Sequence, residues 1–90
     1  MMADRKKVER MLKTARGQID GILKMVDEDR YCIDLSTQLM ATQALIARVT
    51  ADVLTAHVEG CVKTAVESGD EEQKAKKIAE IERVIDKLAK

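Results

Sequence analysis

From Tyr31 to Glu59 the chain contains neither glycine nor proline, so nothing in that stretch would break a helix. Apolar residues recur at Leu35, Leu39, Ile46, Val49, Val53, His57 and Cys61 on one broad face, which Met40, Leu45, Leu54 and Val58 widen. The pattern predicts one helix from near Ile33 to about Glu67. About thirty-five residues at 1.5 Å each span roughly 50 Å. A compact chain of 90 residues has a radius of gyration near ~12 Å and a diameter of about 30 Å. One chain cannot enclose such a helix in its own core, so the uncovered apolar faces call for a second copy. Two-fold antiparallel pairing of the long helices is the simplest solution.

Two shorter helices flank the long one. Over residues 4–27, Val8, Leu12, Ala15, Ile19, Ile22, Leu23 and Val26 recur at helical spacing with charges between them. Gly17 and Gly21 fall on one face of this helix, where each costs roughly 1 kcal/mol relative to Ala. Close approach of another helix would compensate. The polar link Asp27-Glu28-Asp29-Arg30 ends it. Ser68-Gly69-Asp70 ends the long helix and starts the next, with Gly69 suited to a left-handed C-terminal cap and Asp70 to an N-cap. The third helix, residues 71–89, presents Ala75, Ile78, Ile81, Val84, Ile85 and Leu88 on one face, with Lys87 and Lys90 at its end. The fold class is therefore all-α, a single domain over residues 1–90.

Sixteen basic residues balance sixteen acidic ones, but unevenly along the chain. Residues 1–24 carry seven Lys/Arg against three acids, and residues 25–61 carry two against six. A basic first helix can still present a positive surface to an anionic partner. No apolar run approaches membrane-spanning length and the N-terminus lacks the apolar core of a signal peptide, which implies a cytoplasmic protein. In that compartment two cysteines point to metal binding or thiol chemistry rather than to a structural disulfide.

The only His and both cysteines sit at the two ends of the long helix. Cys32 and Cys61 are 29 positions apart, about 43 Å along a continuous helix, so they cannot share a site within one chain. In an antiparallel dimer, Cys32 of one subunit would meet His57 and Cys61 of its partner, twice per dimer. His57 and Cys61 at i and i+4 share a face and are spaced to grip one ion. Two thiolates and an imidazole form a soft set suited to Cu(I) or Zn(II), and three protein ligands favour trigonal Cu(I) over a closed tetrahedral zinc site. The bland alternative is a histidine packed in a helical core.

Tyr31-Cys32-Ile33-Asp34 with the following Gln38, the pair His57-x3-Cys61-Val62 and the earlier Arg16-Gly17-Gln18-Ile19-Asp20-Gly21 stand in matching order and spacing. With these motifs the sequence resembles the copper-sensitive operon repressor (CsoR/RcnR) family from about Val8 to Leu88. The resemblance implies a dimer of dimers, a homotetramer, that binds operator DNA when metal-free and releases it when Cu(I) binds, so that copper-efflux genes are expressed. Cys32, His57 and Cys61 fit the family's Cu(I)-sensing pattern; persulfide sensors lack the His, and nickel/cobalt sensors carry additional ones. Tyr31 matches a family residue that links the metal site to the DNA-binding state. Glu80 matches a third-helix Glu with the same role when about three residues are inserted after Gly69; without them Lys77 takes that position. Arg48 matches a DNA-contacting Arg of the second helix, and Lys13 and Arg16 fall in the matched basic segment of the first. Met11 stands where relatives often have Arg, with Arg10 one residue earlier.

Three other functions compete with the repressor. Cys32 and Cys61 could crosslink between subunits in a thiol or persulfide sensor. The chain could be a structural helical adaptor with a buried Cys/His cluster. An enzyme using Cys32 as nucleophile and His57 as base would need an oxyanion loop and an acidic orienting group, which the sequence does not show. The chain also has no helix-turn-helix or zinc-finger signature, so its basic residues could equally form a solvated face.

Overall fold

The structure, a computed structural model, describes residues 1–88; Ala89 and Lys90, the expected end of the third helix, lie outside the described residues. Three helices make up the fold: α1 (Arg5–Asp27), α2 (Cys32–Ser68) and α3 (Glu71–Leu88), with no strand among the described residues. The protomer is thus all-α with one long central helix, and α2 begins and ends one residue outside its expected bounds.

Each junction is set by local chemistry. The Asp4 carboxylate accepts the backbone N–H groups of Lys6 (3.0 Å) and Lys7 (3.2 Å), capping α1. Asp70 does the same for Glu72 (3.0 Å) and Gln73 (3.2 Å) at the start of α3. Gly69 takes the left-handed conformation expected of it, at φ 68°. Asp29, at φ 52°, closes α1 in the same conformation without being glycine. The Arg30 N–H reaches the Met25 carbonyl (3.0 Å) and the Asp29 N–H that of Val26 (3.1 Å), the two bonds of a Schellman cap.

With so short a link, α2 folds back along α1. A 3.4 Å ion pair joins Lys7 to Asp52, and the Thr42 hydroxyl donates to the Gln18 side-chain oxygen at 2.8 Å, so the two helices run antiparallel. Val8, Ala15 and Ile22 are buried at seven-residue intervals, with Met11, Gln18 and Met25 half-buried between them. Thr42 and Val49 are buried on α2 at the same interval, and Leu35 and Ala56 continue the series half-buried. This is the heptad seam of a coiled-coil pair.

The seam consumes only part of the apolar surface. The stripe expected on α1 divides in two: Val8, Ala15 and Ile22 turn inward, while Leu12, Ile19, Leu23 (61 % exposed) and Val26 remain outside. On α2, Leu39, Met40 and Ile46 are also exposed. No large side chain among the described residues is fully buried. The expected close approach of a helix at Gly17 and Gly21 is absent within the protomer, where nothing lies within 4 Å of a β-carbon at either position. The radius of gyration is 17.8 Å and the extents are 58 × 28 × 13 Å, a slab about one helix thick.

By length and composition α2 is apolar enough to cross a membrane, as the core helices of many other proteins are, although no single apolar run in it is long. Thr, Gln and Ser residues, with Arg48, Asp52 and Glu59, interrupt its apolar runs, so run length conceals how apolar the helix is on average.

A β-branched side chain at Asp29 meets the full steric cost of the left-handed conformation, about 1–2 kcal/mol. Asp29→Val is therefore expected to lower the unfolding free energy by that amount at fixed protein concentration, read from the denaturant midpoint at unchanged slope, while Asp29→Gly leaves it nearly unchanged.

Candidate metal centre

His57 and Cys61 lie on consecutive turns of α2, in the part of that helix that α3 packs against. The Cys61 thiol sulfur is 3.3 Å from His57 Nε2 and 3.8 Å from Nδ1. From α3, Glu80 Oε1 lies 3.5 Å from His57 Nε2, and the other carboxylate oxygen is held by Lys77 Nζ at 3.7 Å. Both sequence candidates for the third-helix position therefore converge on the site. Glu80 meets the imidazole and Lys77 orients Glu80. All of these side chains are partly exposed, so their attraction is screened by solvent and acts mainly on geometry.

The remaining sequence candidates stand apart. Cys32 is the first residue of α2, 29 positions and roughly 43 Å of helix from Cys61. Tyr31 precedes it, its carbonyl accepting the Leu35 N–H (3.1 Å) while its ring is largely exposed. Both cysteines are free thiols, Cys32 exposed and Cys61 half-buried. Among the described residues of one protomer no three His, Cys, Asp or Glu side chains converge as a metal would require. Each chain thus carries one thiol at the start of α2 and a thiol–imidazole pair toward its other end.

The basic residues of α1 line its outer surface. Lys6, Arg10 and Lys13 border one shallow depression, and Arg5, Lys13 and Arg16 border another. Lys13 is paired with Glu9 at 3.3 Å. Arg48 is exposed on α2 and borders neither. Met11 is half-buried at a seam position, where an apolar side chain packs against α2 and an Arg would have to reach outward.

Sequence reasoning did not single out the Gln18–Thr42 bond, the grip of Lys77 on Glu80, or the contact of Met2 with Gly60 described below. For the first, two polar residues at heptad positions of an otherwise apolar seam were a legible signal. The other two depend on where α3 and the N-terminal residues return to α2, which no local pattern encodes.

An antiparallel helical pair extended by a third helix, with a thiol–imidazole pair on the long helix and a basic first helix, defines the class of small helical metal-responsive regulators. The family model for the metal-sensitive transcriptional repressor matches residues 4–87, and the chain belongs to that family, a class of regulators rather than of enzymes. It is 36 % identical over 78 residues to the copper-sensing transcriptional repressor CsoR of Bacillus subtilis, covering 87 % of this chain and 77 % of that one. Longer relatives exist: it is 45 % identical to CsoR of Mycobacterium ulcerans over 64 % of this chain and spans half of that protein's length. Among solved structures it superimposes on the copper-sensing repressor CsoR with Cu(I) from Geobacillus thermodenitrificans with a TM-score of 0.84 and 34 % identity, covering 94 % of this chain and 85 % of that one. The nickel-responsive transcriptional regulator InrS gives 0.82 at 25 % identity, covering 97 % and 94 %.

Mild oxidation is expected to yield no monomer with an internal Cys32–Cys61 disulfide, because the bond needs Cα atoms within about 7 Å. Non-reducing electrophoresis with peptide mass spectrometry reads this out, and any crosslink formed should join two chains.

Proposed function

We propose that this chain is a Cu(I)-responsive transcriptional repressor, a cytoplasmic homotetramer that holds operator DNA when metal-free and releases it on binding Cu(I). The observation that carries the reading is the His57–Cys61 pair with Glu80 behind it. An ion bonded at ~2.3 Å to sulfur and ~2.0 Å to nitrogen separates those donors by roughly 3.5 Å at a tetrahedral angle and roughly 3.7 Å at a trigonal one. The two nitrogens of His57, at 3.3 and 3.8 Å from the sulfur, bracket that range. A carboxylate accepting the Nε2 proton fixes the tautomer that leaves the Nδ1 lone pair for the ion, the usual support for a ligating imidazole. Glu80 is placed to do this and Lys77 to hold it there.

Cys32 of the partner subunit completes the set in an antiparallel dimer. The exposed Leu12, Ile19, Leu23 and Val26 of α1, with Leu39 and Ile46 of α2, supply the apolar area for the pairing. Tyr31 adjoins the incoming thiolate. Two thiolates and one imidazole make a soft site, and with a single His in the chain no further nitrogen ligands of that type are available for a nickel-type site.

Because the ligands come from two subunits, coordination biases the angle between them and hence the spacing of the basic α1 surfaces. Arg10, Lys13, Arg16 and Arg48 are the residues we assign to phosphate, repeated four times in a tetramer. By linkage, operator DNA must weaken Cu(I) affinity by the factor that Cu(I) weakens DNA affinity.

Titrating Cu(I) into the protein–operator complex should release DNA at one Cu per chain, with two sulfurs and one nitrogen in the X-ray absorption spectrum; unchanged DNA affinity at full loading would reject the proposal. His57→Ala should abolish most of the Cu(I) response, whereas a thiol sensor built on Cys32 and Cys61 would keep responding to persulfide. Lys13→Ala and Arg16→Ala should weaken operator and nonspecific DNA alike and flatten the salt dependence by about 1 per lost contact.

A further inference from the structure

Gly60 lies inside α2, three residues beyond His57 and one before Cys61, so its notch and the Cys61 side chain flank the imidazole on opposite sides. The notch is filled. The Cε, Sδ and Cγ atoms of Met2 lie 2.9, 3.0 and 3.2 Å from where a β-carbon on residue 60 would sit. A β-carbon on residue 60 would make the Met2 side chain shift, because real β-carbons essentially never come within 3.0 Å of another atom. Met2 is also a wall of a cavity of about 340 Å³ whose other sides include Met1, Val53, His57, Glu80 and Val84. The N-terminal side chains are thus brought to the one place on α2 where a thiol, an imidazole and a carboxylate gather. More than half of the Met2 surface stays exposed, so the contact is a strap laid on the helix rather than a core residue.

We infer that Met2 belongs to the metal centre, as a strap that lies beside His57 and holds its thioether against a bound soft ion at a long, weak contact, outside the two thiolates and one imidazole that bond it. A thioether is a polarizable donor that suits Cu(I) and has little affinity for hard cations, and its methyl group excludes water from the ion. This assignment rests on the Cu(I) reading above. Its functional consequence is retention: Met2 slows the loss of Cu(I) and biases the site against harder divalent ions. Gly60 is the positioning residue, acting only through the seat it leaves for Met2.

The test separates sulfur from bulk. Met2→Leu preserves an apolar wall but removes the donor. Gly60→Ala keeps the helix and makes the Met2 side chain shift off the backbone it rests on. Both variants should transfer Cu(I) to a competing chelator about ten-fold faster than the parent, the scale typical of partners around a metal site. Their double variant should be no faster than either alone. In metal-free protein carrying ¹³C-methyl methionine, the Met2 methyl should show contacts to the Gly60 backbone that vanish in Gly60→Ala. A Met2→Leu variant that releases Cu(I) at the parental rate, or parent protein without the Met2–Gly60 contact, would overturn the inference. If the parent binds no Cu(I) through sulfur and nitrogen, the Cu(I) reading fails instead, and the methyl contact still reports on the seat.

Discussion

Everything in this molecule follows from a helix that is too long for the chain that carries it. Thirty-seven residues of α2 span roughly 55 Å, and the whole protomer is only 58 Å in its longest dimension. The remaining helices cover it only in turn, α1 along the N-terminal two-thirds and α3 over the C-terminal third, and the other faces of α2 stay open, with Leu39, Met40 and Ile46 exposed. The result is a slab whose buried apolar side chains are few, Val8, Ala15, Ile22 and Val49 among them, and whose outer faces are rich in Leu, Ile and Val. Such a surface is the usual mark of an association face rather than of a finished monomer.

The same length separates the reactive residues. The two thiols of one protomer stand roughly 43 Å apart along α2, so they cannot meet within that protomer. Toward the C-terminal end of α2, His57 and Cys61 stand on consecutive helical turns, and Glu80 of α3, itself held by Lys77, meets the imidazole. The α3 helix is joined to α2 through Gly69 and Asp70 alone, so Glu80 is a natural place for events at the imidazole to be felt by the rest of that helix.

Much of this was legible in the sequence because it is written in local rules. The caps at Gly69 and Asp70 and the helix bounds follow from short-range chemistry. So did the impossibility of a Cys32–Cys61 site within one chain, which needs only the helical rise. What was not legible is how apolar residues divide between faces. Leu12 and Ile19 have the same hydrophobic character as Val8 and Ile22, and only the path of α2 decides which pair faces inward. Gly17 and Gly21 likewise announce a space that a neighbour could enter without saying whether it belongs to the same chain. Asp29 was read as part of a polar link, although it performs the left-handed closure usually left to glycine.

The seam between α1 and α2 repeats every seven residues, and a repeating pattern has no origin of its own. Sliding α1 by one heptad would again set apolar residues against apolar residues, but would carry Arg10, Lys13 and Arg16 about 10 Å along α2. The Thr42 hydroxyl and the Gln18 side chain meet in only one of these alignments. Any other leaves polar atoms in the seam without partners. That single bond acts as the zero mark on a ruler: it fixes how far the basic surface of α1 stands from His57 and Cys61, and so gives a change at one end of the slab a defined distance over which to be read at the other.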